Sequence, residues 1–322
     1  MLGKVFGSAN ITIFYEISTI YANAFGIQLV FDHFWRLILR TKKLKIFYTR
    51  STLSEYVNSK RALNISIGFV PTMGALHNGH LSLIQIAAGQ TKLVVCSIFV
   101  NPTQFTDSKD LDNYPRPIEA DIAKLEKANC DVLFLPSVSE MYDDLAHWHI
   151  DLGELDERLE GRVRPGHYQG VTQIVYKLFN SVKPDKAFFG QKDYQQFLVI
   201  KEMVEQIKIN VQLVMCPIIR EHDGLAMSSR NIYLSEKEHS DALVLNKVLQ
   251  QSKNNFADTS IETLKKEAVQ TLKSESGIEL EYFEICNGNN LEPANSKDPQ
   301  NLIALVAAKV GHTRLIDNII LR

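Results

Sequence analysis

Cysteine is scarce and scattered. The chain's 322 residues include 4 cysteines, Cys96, Cys130, Cys216 and Cys286. No two are close in sequence, and no Cys-x-x-Cys or Cys/His pair has metal-ligand spacing, which argues against a zinc module. Cys96 in "LVVCSIFV" and Cys216 in "VQLVMCPII" sit in apolar runs and read as small core residues. The pattern is that expected of a reduced, cytoplasmic protein. An excess of one charge is also missing: 35 basic residues face 37 acidic ones, for a net charge of -2. A nucleic-acid binder usually carries a basic face, so that class is disfavoured, while a local basic pocket for a small anion is not. Long apolar runs are absent too. The aromatic-rich opening, "ITIFYEISTIYANAFGIQLVFDHFWRLILRTKKLK", is interrupted by Glu16, Asp32, His33 and Arg36. It never reaches the ~18 uninterrupted apolar residues of a membrane span. It also lacks a charged leader followed by a small-residue cleavage site, and its acids weigh against an organelle-targeting peptide. There is no internal repeat and no low-complexity tract.

What is present is ordinary globular composition, 45% hydrophobic and 22% charged. The length suits one large domain or two. From Lys45 onward, short strands ("LKIFYT", "SIGFVPT", "KLVVCSIFV", "DVLFLP", "KAFFG", "VQLVMCPII") alternate with helical stretches ("LSEYVNSKRAL", "LSLIQIAAG", "IEADIAKLEKAN", "GVTQIVYKLFNSV", "YQQFLVIKEMVEQI"). Ser51 or Thr52 is expected to cap the first helix, and "NPTQFTDSKDLDNYPRP" to form a loop. Such alternation predicts βαβ units and a doubly wound parallel sheet, whose ligands bind where strands end and helices begin. After about Ile219 the pattern changes to two polar-faced helices and three short strands, "ELEYFEIC", "LIALVAAKV" and "TRLIDNIIL". The expected fold is α/β, a doubly wound, Rossmann-like parallel-sheet domain over residues 44–218, followed by a smaller α+β domain over 219–322. Residues 1–43 stand apart as an atypical extension.

Two stretches carry chemistry on their own. In "FVPTMGALHNGHLSLI" a strand hands over to a helix through a turn holding His77 and His80, with Gly74 and Gly79 beside them. Unpaired N–H groups at a helix start favour anions, and two imidazoles there can donate hydrogen bonds to phosphate oxygens. The turn lacks the Gly-Lys-Ser/Thr ending of a Walker loop and is not His-Glu-x-x-His, so zinc is disfavoured. A surface turn with two spare histidines explains the same residues. The second stretch, "DGLAMSSRN", ends in two hydroxyls and a guanidinium, a good clamp for polyphosphate, though also an ordinary polar loop. Together the two stretches resemble the nucleotidylyl transferases, which cleave nucleoside triphosphates between the α and β phosphates.

Further motifs narrow the resemblance. "PTMGALHNGH", "SIFVNPTQF", "YPR", "RPGHYQGV", "FFGQKDYQQ" and "DGLAMSSRN" occur in an order and spacing similar to those of pantothenate synthetases (pantoate–β-alanine ligases). The likeness runs from about Leu44 to the last residue, where "VGHTRLIDN" also resembles the family's end. It implies condensation of pantoate with β-alanine in two steps. ATP and pantoate give pantoyl adenylate and pyrophosphate with Mg²⁺, and the amine then displaces AMP. It implies an ATP site made of Met73, Gly74, Ala75, Leu76, His77, Asn78, Gly79, His80, Gly190, Gln191, Lys192, Asp193, Ile219, Met227, Ser228, Ser229 and Arg230. His77, His80, Lys192, Ser228, Ser229 and Arg230 would be the catalytic set. His77 is expected to act as a hydrogen-bond donor rather than a literal acid, and Lys192 as a charge for the α-phosphate. Asp193 would bind ribose or orient Lys192. Gln104 and Gln196 would bind pantoate, with Gln104 also facing β-alanine. Arg164 and His167 would border the site. Asp121 is a candidate for holding hydrated Mg²⁺, or else part of a solvated helix face.

The resemblance further implies small-molecule partners only, with no nucleic acid and no membrane, and a homodimer formed through the larger domain. Two departures stand out. Gln191 replaces a frequent Glu, with little loss expected. Residues 1–43 have no counterpart; a start codon placed too far upstream is the expected reason, in preference to a genuine appendage, and a native peptide from within 1–40 would refute it. Competing readings are a cytidylyl or adenylyl transferase acting on a phosphate, a class I aminoacyl-tRNA synthetase and a nucleotide-binding sensor. The glutamines disfavour the first, the lack of a large anticodon-binding region the second, and the complete set of reactive residues the third.

Overall fold

The computed structural model describes residues 43–142, 147–298 and 300–322. The expectation for residues 1–43 therefore lies outside the described residues, Lys43 apart. Six strands form one wholly parallel sheet: β1 (Lys45–Phe47), β2 (Ile67–Thr72), β3 (Leu93–Ile98), β4 (Val132–Phe134), β5 (Lys186–Gly190) and β6 (Gln212–Cys216). Their spatial order is β1-β4-β3-β2-β5-β6. Helices α1 (Arg50–Arg61), α2 (Asn78–Gln90), α4 (Ile118–Lys127), α7 (His167–Val182) and α8 (Tyr194–Ile207) link the strands. β3 is buried at every position, so its sequence is a continuous apolar run rather than an alternation. Neighbouring residues on a strand face opposite sides. Phe69, Val95, Phe134 and Phe189 accordingly pack beneath α1, α7 and α8. Val70, Val94, Cys96, Leu133 and Phe188 pack on the other face against α2 and α4. Cys96 and Cys216 are core residues, and all four cysteines are buried.

The topology sets the site. From β2 the chain moves outward through β3 and β4, then returns to the other side of β2 to lay down β5. β2 and β5 pair in parallel, Gly68 opposite Lys186 and Phe69 opposite Ala187, so both point their C-terminal ends the same way. The order of strands switches between them, the position where open α/β sheets bind ligands.

A second, antiparallel sheet contains β7 (Ile278–Asn287), β8 (Leu302–Val310) and β9 (Thr313–Ile320). On β8, Leu302, Ala304, Val306 and Ala308 pack against α9 (Glu236–Asn254) and α10 (Ile261–Ser274). The alternate residues Ile303, Leu305 and Ala307 pack against Leu159 and against Tyr194 and Leu198 of α8. No helix among the described residues is long and apolar enough to cross a membrane.

Local details differ from the sequence expectations. Thr49, not Ser51 or Thr52, caps α1. The segment 101–117 holds a 3₁₀ turn, Pro102–Gln104, and helix α3 (Ser108–Asn113), capped by Asp107. Short helices α5 (Val138–Met141) and α6 (Leu159–Val163) lie in stretches without readable periodicity. Turns of four to six residues are too brief for a 3.6-residue pattern to emerge.

Candidate active site

His77 is the N-cap of α2 and has extended backbone, φ −134°. Its ring folds over the helix start, and Nδ1 accepts a hydrogen bond from the Gly79 N–H at 3.1 Å. His80, three positions on, accepts the His77 N–H on its own Nδ1 at 3.3 Å. The two imidazoles form a reciprocal capping box, their ring centroids 4.1 Å apart. Gly79 is required by this closure, because a Cβ there would lie 2.8 Å from the His77 ring. Accepting on Nδ1 leaves each neutral ring with its proton on Nε2, so both histidines keep one N–H donor. Burial, then the charge of Lys192, lowers the His77 pKa from 6.5 to about 4. His80 is pushed well below its ordinary value by burial, then by His77 and Lys192. Both are neutral at physiological pH.

The turn before them is anchored from below. The Ala75 and Leu76 N–H groups donate to the two carboxylate oxygens of Asp121 at 2.7 and 2.8 Å. Lys124, one turn later on α4, donates to the Leu76 carbonyl at 2.5 Å. Here the backbone runs left-handed at Gly74 (φ +85°) and at Ala75 (φ +48°). Asp121 is fully buried. This corrects both readings offered for it: it is neither part of a solvated face nor a free metal ligand, since both oxygens hold the turn.

Two adjoining compartments open at the strand ends. One, of about 170 Å³, is lined by His77, His80, Lys192, Ile219, Met227 and Ser228–Arg230, among others. The other, of about 190 Å³, is lined by Asn101, Gln104, Arg164, His167 and Gln196, with apolar walls from Val171, Val175 and Phe189. Met73, His80, Tyr114, Asp193, Gln196 and Arg230 line both. The Lys192 ammonium lies 3.9 Å from the half-exposed Asp193 carboxylate. Ser229 and Arg230 sit on a 3₁₀ turn tied to α3 and its C-cap: the Ser229 hydroxyl is 3.2 Å from that of Tyr114, and the guanidinium is 2.9 Å from Asp110.

A match to the sequence model of the family described as "Pantoate-beta-alanine ligase" spans residues 45–320. The chain belongs to this family. It is 44% identical over 279 residues to the pantothenate synthetase of Acetivibrio thermocellus, covering 86% of this chain and 99% of the relative. The enzyme of that name from Porphyromonas gingivalis is 45% identical over 277 residues, again 86% and 99%. The crystal structure of pantothenate synthetase from Thermus thermophilus superposes with a TM-score of 0.82 at 38% identity, covering 86% of this chain and 99% of that one. A pantoate-beta-alanine ligase from Francisella tularensis, complexed with Beta-gamma ATP and Beta-alanine, superposes with a TM-score of 0.72 at 35% identity, covering 86% and 98%.

Of the residues assigned by resemblance, Ala75 and Leu76 act through their backbone on Asp121, Leu76 is buried and Asn78 is exposed on the helix start. Gln191 turns away from both compartments, its amide donating to Asn318 Oδ1 at 3.1 Å. Gln104 and Gln196 meet at the second compartment although 92 residues separate them in sequence. Two lining residues, Asn101 and Tyr114, carry no assignment from the resemblance. Asn101 is buried and donates to Gln104 Oε1 at 3.2 Å and to the Gly170 carbonyl at 3.1 Å. Its own oxygen accepts the Tyr142 hydroxyl at 2.6 Å. Tyr114 packs beneath Arg230, the guanidinium 5.7 Å from the ring centroid. His167 donates from Nδ1 to the Gln104 carbonyl at 2.7 Å and lies 3.3 Å from an Arg164 nitrogen. Burial, then Arg164, lowers its pKa to about 4, so Nε2 is free to accept from the guanidinium. Asn101 and Tyr114 stand inside "SIFVNPTQF" and "YPR", so position within these motifs was the one signal that could have found them.

Proposed function

We infer that the chain condenses pantoate with β-alanine at the expense of ATP, through a pantoyl adenylate, releasing pyrophosphate and AMP. The observation that carries this is the pair of joined compartments. One presents neutral N–H donors, an ammonium and a Ser-Ser-Arg turn, and the other presents the carboxamides of Gln104 and Gln196, backed by Asn101, over apolar walls. The first suits a triphosphate, and the second suits a small hydroxy acid with a branched apolar body. Their junction is where a carboxylate would meet the α-phosphate.

Each residue's role in this reading follows from its chemistry. A carboxylate is a poor electrophile, and transfer to an adenylate gives it a leaving group. Adenylyl transfer needs alignment and stabilisation of charge on phosphorus oxygens more than proton transfer. The Nε2–H groups of His77 and His80 donate to those oxygens, and Lys192 neutralises the α-phosphate. Ser228, Ser229 and Arg230 hold the departing pyrophosphate. Gln104 and Gln196 orient pantoate, and Gln104 remains to receive β-alanine. Asp193 is the one carboxylate lining the ATP compartment among the described residues, while the cluster Glu221, Asp223 and His239 lies outside that lining. Such a donor set fits Mg²⁺, which keeps waters and takes substrate phosphates with one or two carboxylates. Bound there, Mg²⁺ would offset triphosphate charge.

We further propose a division into a nucleotide-binding domain (44–218) and a lid domain (219–322), a homodimer, and a cytoplasmic location. Light scattering on the purified chain tests the dimer. The reaction is tested by pyrophosphate release from ATP. Release should require pantoate, with AMP and pantothenate forming only after β-alanine is added. Release driven by a phosphorylated acceptor, or by an amino acid with tRNA, would overturn the assignment.

A further inference from the structure

We propose that Asp317 and Asn318, consecutive on β9, are positioning residues that brace two separate walls of the ATP compartment; the inference rests on the ATP reading above. Both side chains are nearly inaccessible, 4% and 2% exposed, and neither lines either compartment. Successive residues on a strand point to opposite sides. Asn318 reaches the turn that carries Lys192: its amide nitrogen donates to the Gln191 and Lys192 carbonyls, each at 3.0 Å. Its oxygen accepts from the Gln191 side chain at 3.1 Å. Both ends of that carboxamide are thus spent on one turn, and they fix the backbone from which Lys192 projects.

Asp317 reaches the other wall. It takes the Arg220 guanidinium in a two-point pair at 2.6 and 3.0 Å. Arg220 also donates to the Gly224 carbonyl at 3.1 Å. It bridges to Ala226 across a hairpin in which the Met227 N–H donates to the Ile219 carbonyl at 3.0 Å. Ile219, Met227 and Ser228 line the compartment directly. The Asn318 N–H donates to Asp317 Oδ1 at 2.8 Å, which locks the two braces to each other. One dipeptide of the antiparallel sheet therefore sets the spacing between Lys192 and the Ser-Ser-Arg turn, groups that must grip one triphosphate together. A bidentate charged pair and a three-point carboxamide are geometric devices, since both fix direction as well as distance.

The test uses the full chain with Asn318→Ala, Asn318→Asp and Asp317→Asn, each checked for cooperative thermal unfolding. Asn318→Asp keeps the shape but turns a carboxylate toward two carbonyl oxygens. ATP affinity, read by calorimetry, should fall by about tenfold or more in each variant. Pantoate affinity should stay within about threefold of the parent. If Asn318→Ala does not fold, Gln191→Ala, which removes one of the three contacts, should show the same split at smaller amplitude. Equal losses for ATP and pantoate would mean general loosening and overturn the proposal, as would unchanged ATP affinity in folded variants. A parent chain that binds ATP yet releases no pyrophosphate with pantoate sinks the reaction assignment instead, and the ATP affinities alone then judge the brace.

Discussion

Replacing Asp121 by Asn isolates what holds the histidine turn. The carboxylate is fully buried and accepts two backbone N–H groups, from Ala75 at 2.7 Å and Leu76 at 2.8 Å. Asn preserves the volume but has one acceptor oxygen, so its NH₂ must face one of the two backbone donors. The change removes one hydrogen bond to a charged group, worth about 1.5–3 kcal/mol, and strands a buried N–H at about 1–3 kcal/mol. Loss of the negative charge 4.0 Å from the Lys124 ammonium acts in the same direction, and relief of the burial penalty that raises the Asp121 pKa offsets part of the cost. Nor can the turn relax cheaply, because Ala75 already sits at φ +48°, a region that costs a non-glycine residue about 1–2 kcal/mol. The sum predicts a loss of about 3–5 kcal/mol of unfolding free energy in urea titrations. ATP affinity should fall as well, because His77 and His80 follow directly from this turn. A loss below about 1 kcal/mol, with a fully native circular dichroism spectrum, would refute the idea that Asp121 holds the turn.

Three other outcomes are expected. His77 and His167 have pKa values of about 4 in the fold, against 6.5 ordinarily. Between those values the unfolded chain binds protons that the folded chain does not, so their stabilisation is complete above pH 6.5 and is lost as pH falls toward 4. Urea unfolding at about pH 5 should show about 1–2 kcal/mol less stability per histidine than at about pH 7.5, and His77→Ala should remove its share of that slope. Gly170→Ala should disturb the second compartment, proposed above to take pantoate, because a Cβ there would lie 2.4 Å from the Thr103 carbonyl oxygen. A cost of about 1–3 kcal/mol with weakened pantoate binding is expected, and unchanged binding by calorimetry would contradict it. Glu160, which takes both Arg314 nitrogens at 2.6 and 2.7 Å and the Tyr282 hydroxyl at 2.6 Å, ties α6 to the second sheet. Glu160→Gln should cost about 3 kcal/mol in thermal or urea unfolding, the low end for a broken buried pair because Arg314 keeps Glu281 at 2.8 Å.

The parts of the molecule legible in the sequence are those whose signal is local. β3 is buried throughout and reads as an unbroken apolar run, and the alternation of strands and helices marks the parallel sheet. Asp121 shows the opposite case. On an amphipathic helix an acid normally marks the wet face, yet this one points inward because its partners are backbone groups 45 and 46 residues earlier. Arg220 and Asp317 lie 97 residues apart, and no periodicity connects them. Asn101 and Tyr114 fall in a segment whose only helix, α3, has six residues, too few to show a pattern.

The same distinction applies to the two histidines. Their spacing from residue 77 to residue 80 is visible in the sequence, but not what that spacing does. At N-cap and N3 it lets each ring accept a backbone hydrogen bond at the helix start, which consumes both Nδ1 lone pairs. Proton donation as an acid would need an imidazolium, and burial beside Lys192 makes that the disfavoured form of both rings. A neutral ring held by its own helix instead offers an N–H in a fixed direction, the arrangement that stabilises charge developing on an oxygen without reorganising. His77→Ala should therefore lower turnover by about 2.7–4 kcal/mol of barrier, the range for one lost donor. The rate profile that remains in the parent should be flat through pH 6.5, the ordinary histidine value, and bend near 4 instead. A clear inflection at the ordinary value, absent in His77→Ala, would restore His77 as a general acid.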